Sequence, residues 1–136
     1  MNLGNYGIVE GRLTNDITIS ENRDGSKRVL FTLAVQNNYK SKTSGKKETQ
    51  FIPMLGYIAA GQTANIYNYI HKGDLICVAY ELKSESFYKD GKHQYRLNPK
   101  VNHIELKEPK FVTDTRLAKR EQESAADTWE EGEYND

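Results

Sequence analysis

Residues 27–58 read KRVLFTLAVQNNYK, SKTSGKKE and TQFIPMLGYI: two apolar, β-prone runs on either side of a polar, lysine-rich loop. Val29, Phe31, Leu33 and Val35 alternate with more polar positions, the period of a half-buried strand. The second run, from Thr49 to Ile58, is again a strand, with Pro53 requiring an edge or bulge position because it has no N–H to give a ladder. The loop between them sets Lys40, Lys42, Lys46 and Lys47 against the single acid Glu48, and Tyr39, Phe51 and Tyr57 stand near the strand ends. Cations beside aromatics on a β-surface suit a ligand that is both polyanionic and made of flat rings.

Outward from this stretch the chain continues in the same style. Residues 6–16 form a first strand, which Ile17–Ile19 extend or accompany, and Asp24-Gly25 marks a turn. Residues 62–72, QTANIYNYIHK, are expected to be a short helix with Thr63 as cap and Gly73 beyond its end. Asp74 to Tyr88 is a long strand with Ile76, Val78, Tyr80 and Leu82 on one face. Lys89-Asp90-Gly91-Lys92 is a hairpin turn, and His93 to Leu106 is the closing strand. Its apolar parity changes between Val101 and Ile104, so a bulge is expected after Pro99. An all-β, five-stranded barrel of the OB type follows, with one short helix between the third and fourth strands. Closure removes the exposed edges that five open strands would leave. The barrel is assigned to residues 1–107. Residues 108–136 have few apolar residues and no sustained periodicity, and read as a disordered, flexible tail, basic and then acidic, with a short helix over 115–124 as an alternative.

The net charge of zero conceals an asymmetry. Residues 1–120 hold all 19 Lys+Arg and 12 of the acids, net +7; residues 121–136 hold the other seven acids and no base, net −7. A basic body with an acidic end fits a nucleic-acid-facing domain, and equally a solvated surface with a loose terminus. No signal peptide or membrane span is legible, and the single cysteine, Cys77, fits a reducing compartment; the reading is cytoplasmic. His71, His93 and His103 show no metal-ligand spacing with Cys77, and no phosphate-binding glycine loop or GxSxG is present. The chain reads as non-enzymatic, without cofactor or metal.

The body resembles the bacterial-type single-stranded DNA-binding protein family over nearly its whole length. The resemblance rests on GRLTND (11–16), FTLAVQNNYK (31–40), FIPMLGYIA (51–59), ANIYNYIHKGDLICVAYEL (64–82) and SFYKDGKHQYRLNPKVNHIELKEP (86–109), in order and at the family's spacing. It implies an OB-fold that coats single strands with little sequence preference during replication, recombination, repair or DNA transfer, as a homo-oligomer, dimer or tetramer. It places stacking aromatics at Tyr39, Phe51, Tyr57 and Phe87, where the family often has tryptophan; Tyr88 and Tyr95 are secondary candidates. The phosphate-tracking cations would be Lys40, Lys42, Lys46 and Lys47 in the loop, Lys83, Lys89, Lys92 and Arg96 on the last hairpin, and Arg12 and Arg28 on strands. The tail resembles the family's partner-docking end through Trp129, Glu130, Glu131, Glu133, Tyr134 and Asp136, but lacks its final Pro-Phe; its shortness points to a phage- or plasmid-borne member. Two other readings stand beside this one: an OB-type protein-interaction module, and an RNA-binding OB domain.

Overall fold

Val29, Phe31 and Leu33 all point inward, as their alternation requires, and meet Met54 and Ile58 from the next strand and Ile76, Val78 and Ile104 from the last two. Leu33 is fully enclosed, so truncating it to alanine would cost about 2–5 kcal/mol. The computed structural model describes residues 2–62 and 65–134, with side chains described as far as Ser124. The strands are β1 (Gly7–Leu13), β2 (Thr18–Glu21), β3 (Lys27–Lys40), β4 (Lys47–Ile58), β5 (Leu75–Lys89) and β6 (Lys92–Leu106), followed by one helix, α1 (Lys110–Tyr134).

Five of the strands close on themselves. The order runs β1-β5-β6-β4-β3, and β3 returns to β1 through Arg12↔Ala34 and Leu13↔Leu33, while β2 lies outside the ring on β3. All pairings are antiparallel except β4 with β6, which meet in parallel at Leu55↔Lys100. This is the expected barrel, mostly β and mixed in strand direction. The expected bulge is present too: Tyr80 faces Val101 but Ala79 faces His103, so Asn102 is the extra residue that reverses parity before Ile104.

Pro53 finds its acceptable position by a simple geometry. It faces Thr32, whose carbonyl accepts from the Thr14 N–H at 3.0 Å and is therefore turned toward β1, away from β4. In such a pair both residues direct their backbone groups outward. The missing N–H of Pro53 thus falls on the side of β4 away from β3, where no ladder partner is needed.

The helix expected over 62–72 is replaced by a single 3-10 turn at Ile66–Asn68. Asn65 caps it, its Oδ1 accepting from the Tyr67 N–H at 2.8 Å; Thr63, the expected cap, lies outside the described residues. The segment is rich in Asn, Ile and Tyr, all mediocre helix formers, and its apolar side chains plug the barrel end instead. Ile70 and Tyr67 are buried, and the Tyr67 ring packs 6.2 Å from Phe31. Burial pushes the Tyr67 hydroxyl up to about 12. Gly56 is required here, because a Cβ would collide with that hydroxyl. Gly73, at φ +91, does not cap a helix; its N–H donates to the Leu13 carbonyl at 2.8 Å.

Residues 110–134 are helical where a disordered tail was expected, and the alternative short helix over 115–124 lies inside α1. Thr113, Arg116, Leu117 and Arg120 form the barrel-facing stripe of α1, at helical spacing. Two arginines do most of the anchoring. Arg116 donates to Asp74 Oδ1 at 2.8 Å and to Glu108 at 3.0 and 2.7 Å, and Asp74 is 1% exposed. Glu108 also accepts from the Leu75 N–H at 2.9 Å and from Arg12 at 3.1 Å. The Arg116 hydrogen bonds above all hold the Glu108 carboxyl down at about 2. Arg120 adds a fork onto Asp16 at 3.1 and 3.2 Å. Among the described residues no helix is long and apolar enough to cross a membrane.

Candidate nucleic-acid interface

The outward face of β4 carries Phe51, Pro53, Leu55 and Tyr57 by strand parity, opposite Ala34, Thr32, Leu30 and Arg28 of β3. Leu55 is covered where β6 crosses, but Phe51 is 66% exposed and Tyr57 is 38% exposed. At about 3.4 Å per residue the two rings lie roughly 20 Å apart on one face. Phe51 stands clear of its surroundings because its cross-strand neighbour, Ala34, is small.

From Tyr57 the surface continues onto the long β5–β6 arm. Lys83 sets its ammonium 5.0 Å from the Tyr57 ring centroid and 3.4 Å from its hydroxyl. Glu85, two residues on, lies 3.9 Å from Lys83 and 3.9 Å from Arg28. Across the hairpin Glu85 faces Arg96, whose guanidinium sits 5.2 Å from the ring centroid of Phe87. Tyr57, Arg28, Lys83, Glu85, Arg96 and Phe87 therefore form one patch assembled from four strands. Arg28 Nε is enclosed there without a hydrogen-bond acceptor among the described residues.

Tyr88 and Tyr95 occupy the opposite face of the arm. The two-residue turn, with Asp90 at φ 55 and Gly91 at φ 76, pairs Lys89 with Lys92 and so Tyr88 with His93. Tyr88 and His93 stack at 4.8 Å and 15°, and Tyr95 tilts against His93 at 4.9 Å. The six aromatic candidates thus divide between surfaces, with Phe87 and Tyr88 pointing to opposite sides. His93 and Glu85 were not among the candidates. Counting outward from the Asp-Gly turn gives both pairings, Tyr88 with His93 and Glu85 with Arg96.

Tyr39 is 65% exposed in the irregular end of β3, within the stretch between Gln36 and Lys40 where the register shifts. Lys40 faces Lys47 at the neck of the loop, which closes by Ser41 N–H to the Lys46 carbonyl at 2.8 Å. Lys40, Lys42, Lys46 and Lys47 are exposed, and none of them makes an ion pair with a described residue. The same holds for Lys89 and Lys92 at the arm's tip. Arg12 is differently engaged: it donates to the Gly73 carbonyl at 2.9 Å and to Glu108, so it belongs to the seat of α1. The side chains of Trp129, Glu130, Glu131, Glu133 and Tyr134, and Asp136 entirely, lie outside the described residues. Among the described residues no three His, Cys, Asp or Glu side chains gather as a metal ligand set.

Comparison with known proteins gives a consistent family signal. The model of the single-strand binding protein family matches residues 5–107. Single-stranded DNA-binding protein 2 of Staphylococcus aureus is 29% identical over 107 residues, spanning 78% of this chain and 75% of that protein. The single-stranded DNA-binding protein of Bacillus cereus is 31% identical over 107 residues, spanning 78% of this chain and 61% of its own length. That of Enterococcus faecalis is 26% identical over 113 residues, with 82% and 58% covered.

Proposed function

The chain belongs to the single-strand binding protein family, and from that premise we propose that it binds single-stranded DNA without catalysis and with little regard to sequence. Its role is to cover exposed strands in the cytoplasm during replication, recombination, repair or DNA transfer. Bases stack on Phe51, Tyr57 and Phe87, with Tyr39 at the loop end; the loop lysines and Arg28, Lys83, Lys89, Lys92 and Arg96 follow the phosphates. Any base offers a π-face, so stacking surfaces accept them all.

The observation that carries this reading is the continuity from Tyr57 through Lys83 and Arg96 to Phe87, where each ring has a cation at its face. Alternating rings and cations match a ligand whose bases and phosphates alternate along one chain. Self-association into a dimer or tetramer, and docking of partner proteins on the acidic end, belong to the same proposal.

The test is anisotropy of a labelled oligo-dT titrated across a salt series, with duplex DNA and an equal-length RNA as competitors. Tight binding that weakens steeply with salt, and that duplex fails to compete away, supports the reading. Absent binding, or duplex competing as well as single strand, removes it. Effective RNA competition would transfer the surface to RNA.

A further inference from the structure

Among the described residues, Glu85 is the one carboxylate in contact with the cations of the aromatic patch. Its two oxygens are divided between two of them, one 3.9 Å from Arg28 and the other 3.9 Å from Lys83, and its backbone position faces Arg96. Charge-assisted hydrogen bonds close to about 2.7–2.9 Å, and neither of these pairs does. The three side chains are each about a third exposed, at 29% for Glu85, 36% for Arg28 and 44% for Lys83. Arg28 Nε, moreover, has no acceptor among the described residues. The carboxylate therefore holds two cations in loose, exchangeable pairs, between two rings, at the place a phosphate of a stacked strand would need.

We propose that Glu85 is an internal stand-in for a DNA phosphate: it keeps Arg28 and Lys83 oriented in the free protein and is displaced from them when single-stranded DNA binds. This deepens the proposed function and rests on it. The exchange has a thermodynamic signature. A phosphate neutralised by a free cation releases condensed counterions from the DNA. Where the cation must first leave Glu85, the freed carboxylate gathers a solution cation in turn and part of that release is cancelled. Glu85 therefore lowers affinity and also flattens its dependence on salt. Surface pairs of this kind are weak and easily screened, so the effect is largest at low salt.

The experiment compares wild type with Glu85→Gln, Glu85→Ala and Glu105→Gln, in oligo-dT anisotropy from about 50 mM salt upward. Glu105 is exposed and sits at the far end of β6, opposite Cys77, so its substitution removes the same charge away from the patch. Expected is tighter binding by Glu85→Gln, about 3- to 10-fold at the lowest salt, with a steeper slope of log K against log salt and convergence with wild type as salt rises. Glu85→Ala repeats the gain, whereas Glu105→Gln changes binding much less. Circular dichroism melts establish that each variant is folded. Wild-type binding with unchanged or weaker binding by both folded Glu85 variants overturns the stand-in role and leaves the proposed function intact. An equal gain from Glu105→Gln overturns it as well, by reducing the effect to net charge. No binding by wild type overturns the proposed function and this inference together.

Discussion

Lys83 lies over the face of Tyr57, its ammonium 5.0 Å from the ring centroid and 3.4 Å from the phenolic oxygen. The two residues come from β5 and β4, so the contact joins the barrel wall to the arm. Tyr57→Ala is expected to weaken oligo-dT binding by about 5- to 150-fold, the equivalent of one lost stack of about 1–3 kcal/mol. Tyr57→Phe keeps the ring and should lose at most a few-fold. If alanine and phenylalanine variants bind alike, the ring is not a stacking platform.

Phe87→Ala should act like Tyr57→Ala, whereas Tyr88→Ala probes the other face of the arm. A loss confined to Phe87→Ala would assign the strand to the face that carries Arg96 and Lys83. Comparable losses from both would mean that the strand turns around the arm.

The four loop lysines have no acidic partner among the described residues, so their contribution should be visible in salt dependence. Replacing Lys40, Lys42, Lys46 and Lys47 with glutamine removes up to four phosphate contacts. For single strands each is worth about 0.7 in the slope of log K against log salt. A drop of about 1–3 in the slope is expected. An unchanged slope would place the loop away from the DNA.

Arg116→Ala leaves Asp74, 1% exposed, without its cation, and strips Glu108 of two hydrogen bonds. Removing one partner of a buried pair is costly, and a loss of about 3 kcal/mol in urea denaturation is expected. Binding of oligo-dT by the remaining folded protein should be little altered, since this junction is separate from the ring-bearing patch.

The same junction predicts a pH dependence. The Glu108 carboxyl lies at about 2 in the folded chain, against 4.5 for the unperturbed group. The folded state therefore binds its proton less readily than the unfolded one, and stability rises with pH across that interval. The contribution is complete above about 4.5 and is lost as pH falls toward about 2. Glu108→Gln should lower stability at neutral pH and flatten its fall in that window. Melting temperatures of both proteins from pH 7 to pH 3 would show whether the curves converge.

Strand content and closure were legible because they depend on local alternation: Val29 to Val35 gave β3, the parity change near Asn102 gave the bulge, and Asp90-Gly91 gave the arm's turn. Most of α1 escaped, beyond the short helix allowed over 115–124, because its docking stripe is largely polar, with Leu117 as the apolar exception. Arg116 and Arg120 satisfy Glu108, Asp74 and Asp16, which are distant in sequence and individually unremarkable, so no apolar periodicity announces the contact. The short helix between strands failed for the opposite reason. Its two isoleucines, four apart, imitate a helix face, while the barrel mouth needs only a 3-10 turn to seat Tyr67 and Ile70. At the candidate site, residue types were readable but their grouping was not. Arg28 meets Glu85 only because β3, β4 and the arm adopt one particular register.

The barrel's single parallel contact has a mechanical meaning. Among the described residues, β4 and β6 are bridged at Leu55↔Lys100 alone, whereas β5 and β6 pair along nearly their full length. The wall is thus laddered by one backbone bridge at this seam, with Lys83 over Tyr57 and Arg28 beside Glu85 as the side-chain contacts across it. The lysine loop and Phe51 stand on one side of it, Phe87 and Arg96 on the other. An opening there would alter the spacing of the rings while leaving the β3–β4 and β5–β6 ladders paired. Hydrogen exchange along β4 from Thr49 to Ile52 should be faster than in the paired core of β5. If the proposed strand lies across this seam, such an adjustable gauge would suit purines and pyrimidines, which differ in width.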